Sequence, residues 1–183
     1  MRMIRTVFAI AMMLTLHAVA AGSALAAEET VVTVTGAVTK PNRPAFDAFA
    51  DGVFAHDGIS FDKAHAFTRD ALVRLGMKRT VLSYPNWSKP IAFRGPTLAA
   101  VLAAAGAAGK TVTVQALDGY FVDFPWEFAQ RSDVILAVEA DGLPLGLGGR
   151  GPAWLVFPPG VLPNQEAGTD SGLVWAAFHI KVE

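Results

Sequence analysis

The segment from Ser132 to Pro158 constrains the fold of this chain more than any other part of the sequence. It opens with an apolar run, residues 133–140, that is long enough for a central strand and ends at the turn pair Asp141-Gly142. A second apolar run, residues 153–157, follows a glycine-rich stretch. Two apolar strands separated by a turn and a glycine-rich loop predict a protein built on a sheet rather than on helices.

The remaining sequence shows the same preference for short strands. Alternating or β-branched residues predict further strands over 31–38, 80–84, 111–117, 120–124 and 173–182. Thr68 is a good N-cap for a short helix over 69–75, and Gly95-Pro96 open a second helix that stops at Gly106. The predicted fold class is therefore α+β, a mixed, β-sheet-rich domain with a few short helices.

The N-terminus has the features of an export signal. A basic start with Arg2 and Arg5 precedes an apolar run over 7–16 and the small-residue site Ala24-Leu25-Ala26. We therefore expect a signal peptide over 1–26 and a single domain over 27–183. The two arginines are not adjacent and no cysteine can carry a lipid, so a Sec-type route to the periplasm without a membrane anchor is expected.

The charge balance excludes one large class of partner. The full chain has a formal net charge of −1, and removal of Arg2 and Arg5 with the signal makes it −3. Neither value provides the basic surface that nucleic acids require, so we expect no nucleic-acid partner. The sequence also contains no cysteine, so packing has to stabilise the exported domain without disulfides.

The glycine-rich stretch, residues 146–151, formally satisfies G-x-G-x-x-G. A dinucleotide site requires a helix after the glycines, because the phosphates lie at the N-terminus of that helix. Here a predicted strand follows, which excludes the dinucleotide interpretation. Two alternatives remain open: an anion-binding loop to which Arg150 adds charge, and a flexible connection with a surface arginine.

The titratable residues predict neither a metal site nor a catalytic group. His56, His65 and His179 lack the spacing of metal ligands, and His179 is expected to be partly exposed on the last strand. There is no G-x-S-x-G elbow. Asp118 and Asp141 each precede a glycine, which turn formation explains without a function. No catalytic residue is therefore assigned.

Four blocks of sequence, in this order and spacing, resemble the sulfite-oxidase-like, molybdopterin-binding oxidoreductase superfamily. They are Phe93-Arg94-Gly95-Pro96-Thr97-Leu98, Ala116-Leu117-Asp118-Gly119-Tyr120, residues 132–145 and residues 150–158. The resemblance implies the mixed-sheet fold of that superfamily. It also implies a cysteine ligand to molybdenum in the segment Val81–Trp87, where this sequence has none.

The resemblance leaves two functions open, and whether the protein is an enzyme is not decided by the sequence. The first is a non-catalytic module that binds a small anionic ligand, or a periplasmic or membrane partner protein, in the cleft of the superfamily. In this case no cofactor is expected. The second is an oxidoreductase that holds molybdopterin through Arg94, Arg150 and backbone donors, without a thiolate.

Loops rather than strand centres carry the residues expected to line that cleft. The predicted cleft residues, all within or next to the resembling blocks, are Arg94, Asp118, Tyr120, Arg150 and Trp154. Trp87 and Trp126, each beside a proline or within a turn-rich segment, are expected to flank them.

Overall fold

The computed structural model of the protein describes residues 29–183, so the predicted signal peptide lies outside the described residues. The strands are β1 (Thr30–Gly36), β2 (Ala64–Thr68), β3 (Lys78–Leu82), β4 (Ile91–Gly95), β5 (Thr111–Ala116), β6 (Phe121–Pro125), β7 (Ile135–Ala137), β8 (Glu139–Ala140), β9 (Leu143–Pro144), β10 (Ala153–Val156) and β11 (Val174–Val182). The helices are α1 (Gly52–His56), α2 (Arg69–Arg74), α3 (Leu98–Ala105) and α4 (Trp126–Ala129). A sheet-rich α+β fold with few, short helices is confirmed.

The larger sheet is organised around β11. This strand pairs in parallel with β1 and antiparallel with β10 and β5. The sheet continues through β2 beyond β1, through β7 beyond β10 and through β6 beyond β5. One parallel pair among antiparallel ones makes it a mixed sheet, as the sequence predicted.

The smaller sheet has the order β3-β4-β8-β9 and is antiparallel throughout. The chain passes from the larger to the smaller sheet at Val138, whose amide donates to the Arg94 carbonyl at 2.9 Å. The single strand predicted over 133–140 was therefore wrong: it is two strands, β7 and β8, in different sheets. Residues 134–138 are buried on every side, so their sequence has no alternation that would mark the break.

The two predicted helices begin at side-chain caps. The Thr68 hydroxyl accepts from the Ala71 amide at the start of α2, and the Thr97 hydroxyl accepts from the Ala100 amide at the start of α3, each at 3.2 Å. Gly106 ends α3 in the left-handed conformation with φ 62°. The second helix thus starts after its proline, because Thr97 provides the hydroxyl that the cap needs.

The segment between β1 and β2 contains two Asp-Gly pairs, which favour turns, yet it forms α1. Its buried residue Phe54 lies against β11, with ring centroids 5.2 Å from Phe178 and 5.4 Å from His179. The predicted partial exposure of His179 was wrong, since its side chain is 3% exposed. The helix that covers it comes from a segment with no helical periodicity.

Across residues 29–183, the structure contains no helix that is both long enough and apolar enough to cross a membrane. The main core lies between the two sheets and includes the inner face of α3, with Leu98, Val101 and Leu102 all fully buried. Loops at one end of this core form the candidate site.

Candidate functional site

A cleft of about 280 Å³ lies between the β5–β6 hairpin and the loop that leads from β10 into β11. Its lining combines aromatic side chains with two carboxylates: Asp118, Tyr120, Trp154, Asp170, Ser171, Leu173 and Trp175. Among the residues that the structure describes, no lysine or arginine belongs to this lining. The cleft is therefore acidic and aromatic.

Local hydrogen bonds shape the hairpin side of the cleft. The Asp118 carboxylate accepts from the backbone amide of Tyr120 at 3.0 Å, which closes the turn that the Asp-Gly pair predicted. The Tyr120 hydroxyl in turn accepts from the Gly172 amide at 3.4 Å. This long-range contact joins the hairpin to the opposite loop, while the Tyr120 side chain stays 43% exposed along the cleft.

Asp170 forms the opposite wall, and two neutral donors hold it in place. The Asn86 side-chain amide donates to one carboxylate oxygen at 2.7 Å, and the Trp87 indole donates to the other at 2.8 Å. Burial raises the pKa of Asp170, but these two hydrogen bonds and the charge of Arg150 outweigh it, so the pKa lies below its usual value. Asp170 is therefore a fixed negative charge at neutral pH.

Trp154 forms the floor of the cleft. Its side chain is 2% exposed and packs against the rings of Phe93 and Trp87, at centroid distances of 5.0 and 5.8 Å. The Trp154 indole N–H has no hydrogen-bond partner in the described part of the chain. A buried donor without an acceptor costs about 1–3 kcal/mol, so such groups are rare in folded proteins.

Arg150 lies beside this floor and not in the cleft lining. Its guanidinium carbon is 4.6 Å from the centroid of the Trp154 ring, a cation–π contact made by an otherwise exposed side chain. The glycine-rich loop that carries it is closed on itself, because the amides of Gly149 and Gly151 both donate to the Gly146 carbonyl. Those two amides are therefore not free to surround an anion.

The structure brings together some of the predicted cleft residues and separates others. Asp118, Tyr120 and Trp154 share the cleft, with Arg150 beside it. Arg94 is on the smaller sheet, where it forms an ion pair with Glu139 at 3.0 Å, and its neighbour Phe93 is the residue that reaches Trp154.

Trp126 also lies apart from the cleft. It begins α4, and its amide donates to the carbonyl of Lys110 at 2.9 Å. The sequence interpretation missed Asp170, Ser171, Leu173 and Trp175 as cleft residues. The polar run Thr169–Gly172 before the last strand was a signal for a loop, but nothing local indicated which loop it would meet.

Two larger clefts have polar groups that the protein itself satisfies. In the first, of about 780 Å³, Arg43 pairs with Asp51, and Arg69 donates to the carbonyls of Val138 and Leu145 at 2.6 Å each. In the second, of about 610 Å³, the buried imidazole of His179 is hydrogen-bonded within the protein. Of these three clefts, the 280 Å³ one thus has a lining residue whose buried donor has no partner within residues 29–183.

The residues of this cleft do not fit molybdopterin. In the segment that would supply the thiolate, Ser83 is exposed, and the buried Tyr84 hydroxyl donates to the carbonyl of Phe157 at 2.7 Å. A pterin phosphate also needs cations, whereas the lining offers the carboxylates of Asp118 and Asp170. Within residues 29–183, no three His, Cys, Asp or Glu side chains come together as metal ligands.

Comparison with solved structures finds a similar fold in the sulfane dehydrogenase SoxCD from Paracoccus pantotrophus. The two chains are 19% identical with a TM-score of 0.54, over 86% of this chain and 39% of the other. At this identity the likeness shows the fold alone, and it agrees with the sulfite-oxidase-like fold that the sequence resembles. No family model matches the sequence, and no curated protein matches it either.

Proposed function

We propose that this protein is an exported, non-catalytic module that binds a small ligand in the cleft between the β5–β6 hairpin and the loop before β11. The observation that carries the proposal is the buried indole N–H of Trp154, a residue of the cleft lining, which has no hydrogen-bond partner among the described residues. A ligand with a hydrogen-bond acceptor would satisfy this donor. Binding would thus offset the free-energy cost of a buried N–H without an acceptor.

The surroundings of Trp154 support a pre-formed site. The rings of Phe93 and Trp87 pack against the indole, and Asp170 accepts two hydrogen bonds from the segment after β3. A site whose side chains are already immobilised loses little conformational entropy when it binds. Export to the periplasm is the setting that we propose for this module, on the strength of the N-terminal sequence.

The second candidate, a molybdopterin-dependent oxidoreductase, has the fold in its favour but not the cleft. Arg94, one of the two cations expected to hold the cofactor, is paired with Glu139 on the smaller sheet. Arg150 is beside the cleft, yet its loop amides are already bonded. We therefore propose no resident cofactor.

The mature protein, purified from the host that exports it, is expected to contain far less than one molybdenum atom per chain. The reason is the absence of a thiolate and of cations in the cleft lining. Elemental analysis by plasma mass spectrometry provides the measurement, with a known molybdoenzyme from the same host purified in parallel. A content close to one atom per chain would contradict the binding-module proposal.

Replacement of Trp154 by phenylalanine is expected to weaken ligand binding at least about fivefold, since a net hydrogen bond contributes about 1 kcal/mol. The variant should still fold, because phenylalanine fills most of the indole volume and removes the unpaired N–H. The measurement is a thermal-shift screen of small ammonium, carboxylate, phosphate and neutral compounds, followed by calorimetric titration of those that raise the melting temperature.

The matched control is Trp126→Phe, which makes the same chemical change at a tryptophan away from the cleft. A compound that uses the Trp154 N–H stabilises the wild type and the Trp126 variant more than the Trp154 variant. The proposal fails if no compound stabilises the wild type, or if all three proteins respond equally.

A further inference from the structure

We infer that the ligand of this cleft carries an ammonium group together with a hydrogen-bond acceptor. This inference rests on the proposed function, since it names the chemical class that the same cleft would select. It concerns the charge of the ligand, which the sequence had led us to expect to be negative. The lining of the cleft has the opposite charge.

The two carboxylates provide the electrostatic argument. Asp118 lies on the hairpin side and Asp170 on the loop side, so the cleft has one negative charge on each wall. Neither forms an ion pair with a lysine or arginine within residues 29–183. The lining has two negative charges against the one positive charge of Arg150 beside it, so a cation placed between the carboxylates is attracted and an anion is repelled.

The aromatic side chains provide the second argument. Tyr120 and Trp175 are 43% and 38% exposed, and they present ring surface next to the carboxylates. Aromatic faces combined with carboxylates are the surroundings in which proteins bind alkylammonium groups, because the negative π-face attracts the cation and the ring excludes water. The chain already places one cation on an aromatic residue here, since Arg150 lies over the Trp154 ring.

The unpartnered N–H of Trp154 adds a requirement that a simple cation does not meet. It needs an acceptor oxygen, so the ligand should carry a neutral acceptor such as a hydroxyl close to its ammonium group. The small cleft volume, about 280 Å³, suits a compound of this size rather than a polymer.

Choline and 3,3-dimethylbutan-1-ol form a matched pair of probes, because they share the hydroxyl and the shape and differ in the charge. Calorimetric titration of the wild type is expected to show choline binding at least about tenfold more tightly than the neutral alcohol. Equal affinities for the two compounds would overturn the inference. So would tighter binding of acetate or inorganic phosphate than of choline.

Two variants test whether the negative charge in the cleft lining attracts the ligand. Asp118→Asn keeps the turn, because the asparagine oxygen still accepts from the Tyr120 amide, but it removes one negative charge. It is expected to weaken choline binding at least about fivefold. Asp62→Asn, the same change at an exposed residue outside the cleft, should leave the affinity unchanged. Equal effects of the two variants would contradict the inference.

Arg150→Ala distinguishes a cationic from an anionic ligand. Removal of a positive charge beside the cleft should leave choline binding unchanged or make it tighter, because Arg150 repels a second cation. A large loss of affinity would instead show that Arg150 contacts an anionic group.

The two proposals fail in different ways. If choline does not bind but neutral or anionic compounds bind in a manner that depends on Trp154, the binding module stands and the ammonium inference is wrong. If no compound of any class binds, the proposed function itself is wrong.

Discussion

Gly95→Ala is expected to destabilise the protein by about 3 kcal/mol or more, because backbone rather than a flexible side chain fills the space that a methyl group would need. A Cβ at this position would collide with the carbonyl oxygen of Leu136 and lie 2.7 Å from the Cα of Ala137. Here β4 of the smaller sheet crosses directly over β7 of the larger one. To relieve the collision, the two sheets would have to move apart. This movement would also separate the Phe93 ring from the Trp154 ring.

Urea unfolding at neutral pH measures this effect, with Gly52→Ala as the control. A Cβ on Gly52 meets no atom within 4 Å, and alanine favours the helix α1, so this variant should be neutral or slightly more stable. Should Gly95→Ala unfold at the same urea concentration as the wild type, the close approach of β4 and β7 would not be a feature of the folded protein.

The same position explains which part of the fold the sequence could predict. Gly95-Pro96 was interpreted as the start of a helix, and α3 does follow it. The requirement for glycine, however, comes from β7, some forty residues further along the chain. Local signals such as caps, turns and alternation are encoded within a few residues, so the capped helices α2 and α3 and the β5–β6 hairpin were predicted well. Contacts between distant segments have no such local signal.

The cleft shows this limit most clearly. Asp118 and Tyr120 stood out because an Asp-Gly turn between alternating strands has a recognisable pattern. Asp170 did not, because its position depends on hydrogen bonds to Asn86 and Trp87, more than eighty residues away. The expected charge of the ligand followed from Arg94 and Arg150, which are visible in the sequence. In the structure Arg94 pairs with Glu139 outside the cleft, and the cleft lining contains Asp170 instead of a cation.

Acidification is expected to remove about 2–3 kcal/mol of folding free energy between pH 7.5 and 4.5 through His179 alone. Burial, assisted by the charge of Lys181, lowers the pKa of His179 from 6.5 to about 4. The imidazole therefore binds a proton near pH 6.5 in the unfolded chain, but only near pH 4 in the folded protein. Stability is complete above pH 6.5 and falls as the pH decreases towards 4.

The groups bonded to His179 are neutral and provide no negative charge for a protonated imidazole. Its Nε2 is 2.7 Å from the Thr35 hydroxyl, its Nδ1 is 3.4 Å from the Gln115 side-chain oxygen, and Phe54 packs edge-on against the ring. The nearest carboxylate in this network, Asp57, accepts from the amide of Gln115 and not from the imidazole. A protonated His179 would therefore be a buried cation without a carboxylate partner.

The measurement is the free energy of unfolding in urea, for the wild type and for His179→Gln, at both pH values. The carboxylates titrate in both proteins, so their contribution cancels in the difference between them. The wild type should lose about 2–3 kcal/mol more than the variant on acidification. His56→Gln, at an exposed histidine on the adjacent helix α1, should behave as the wild type does. If His179→Gln and the wild type lost the same free energy, His179 would accept its proton without cost, and the burial beneath α1 could not be as the structure describes.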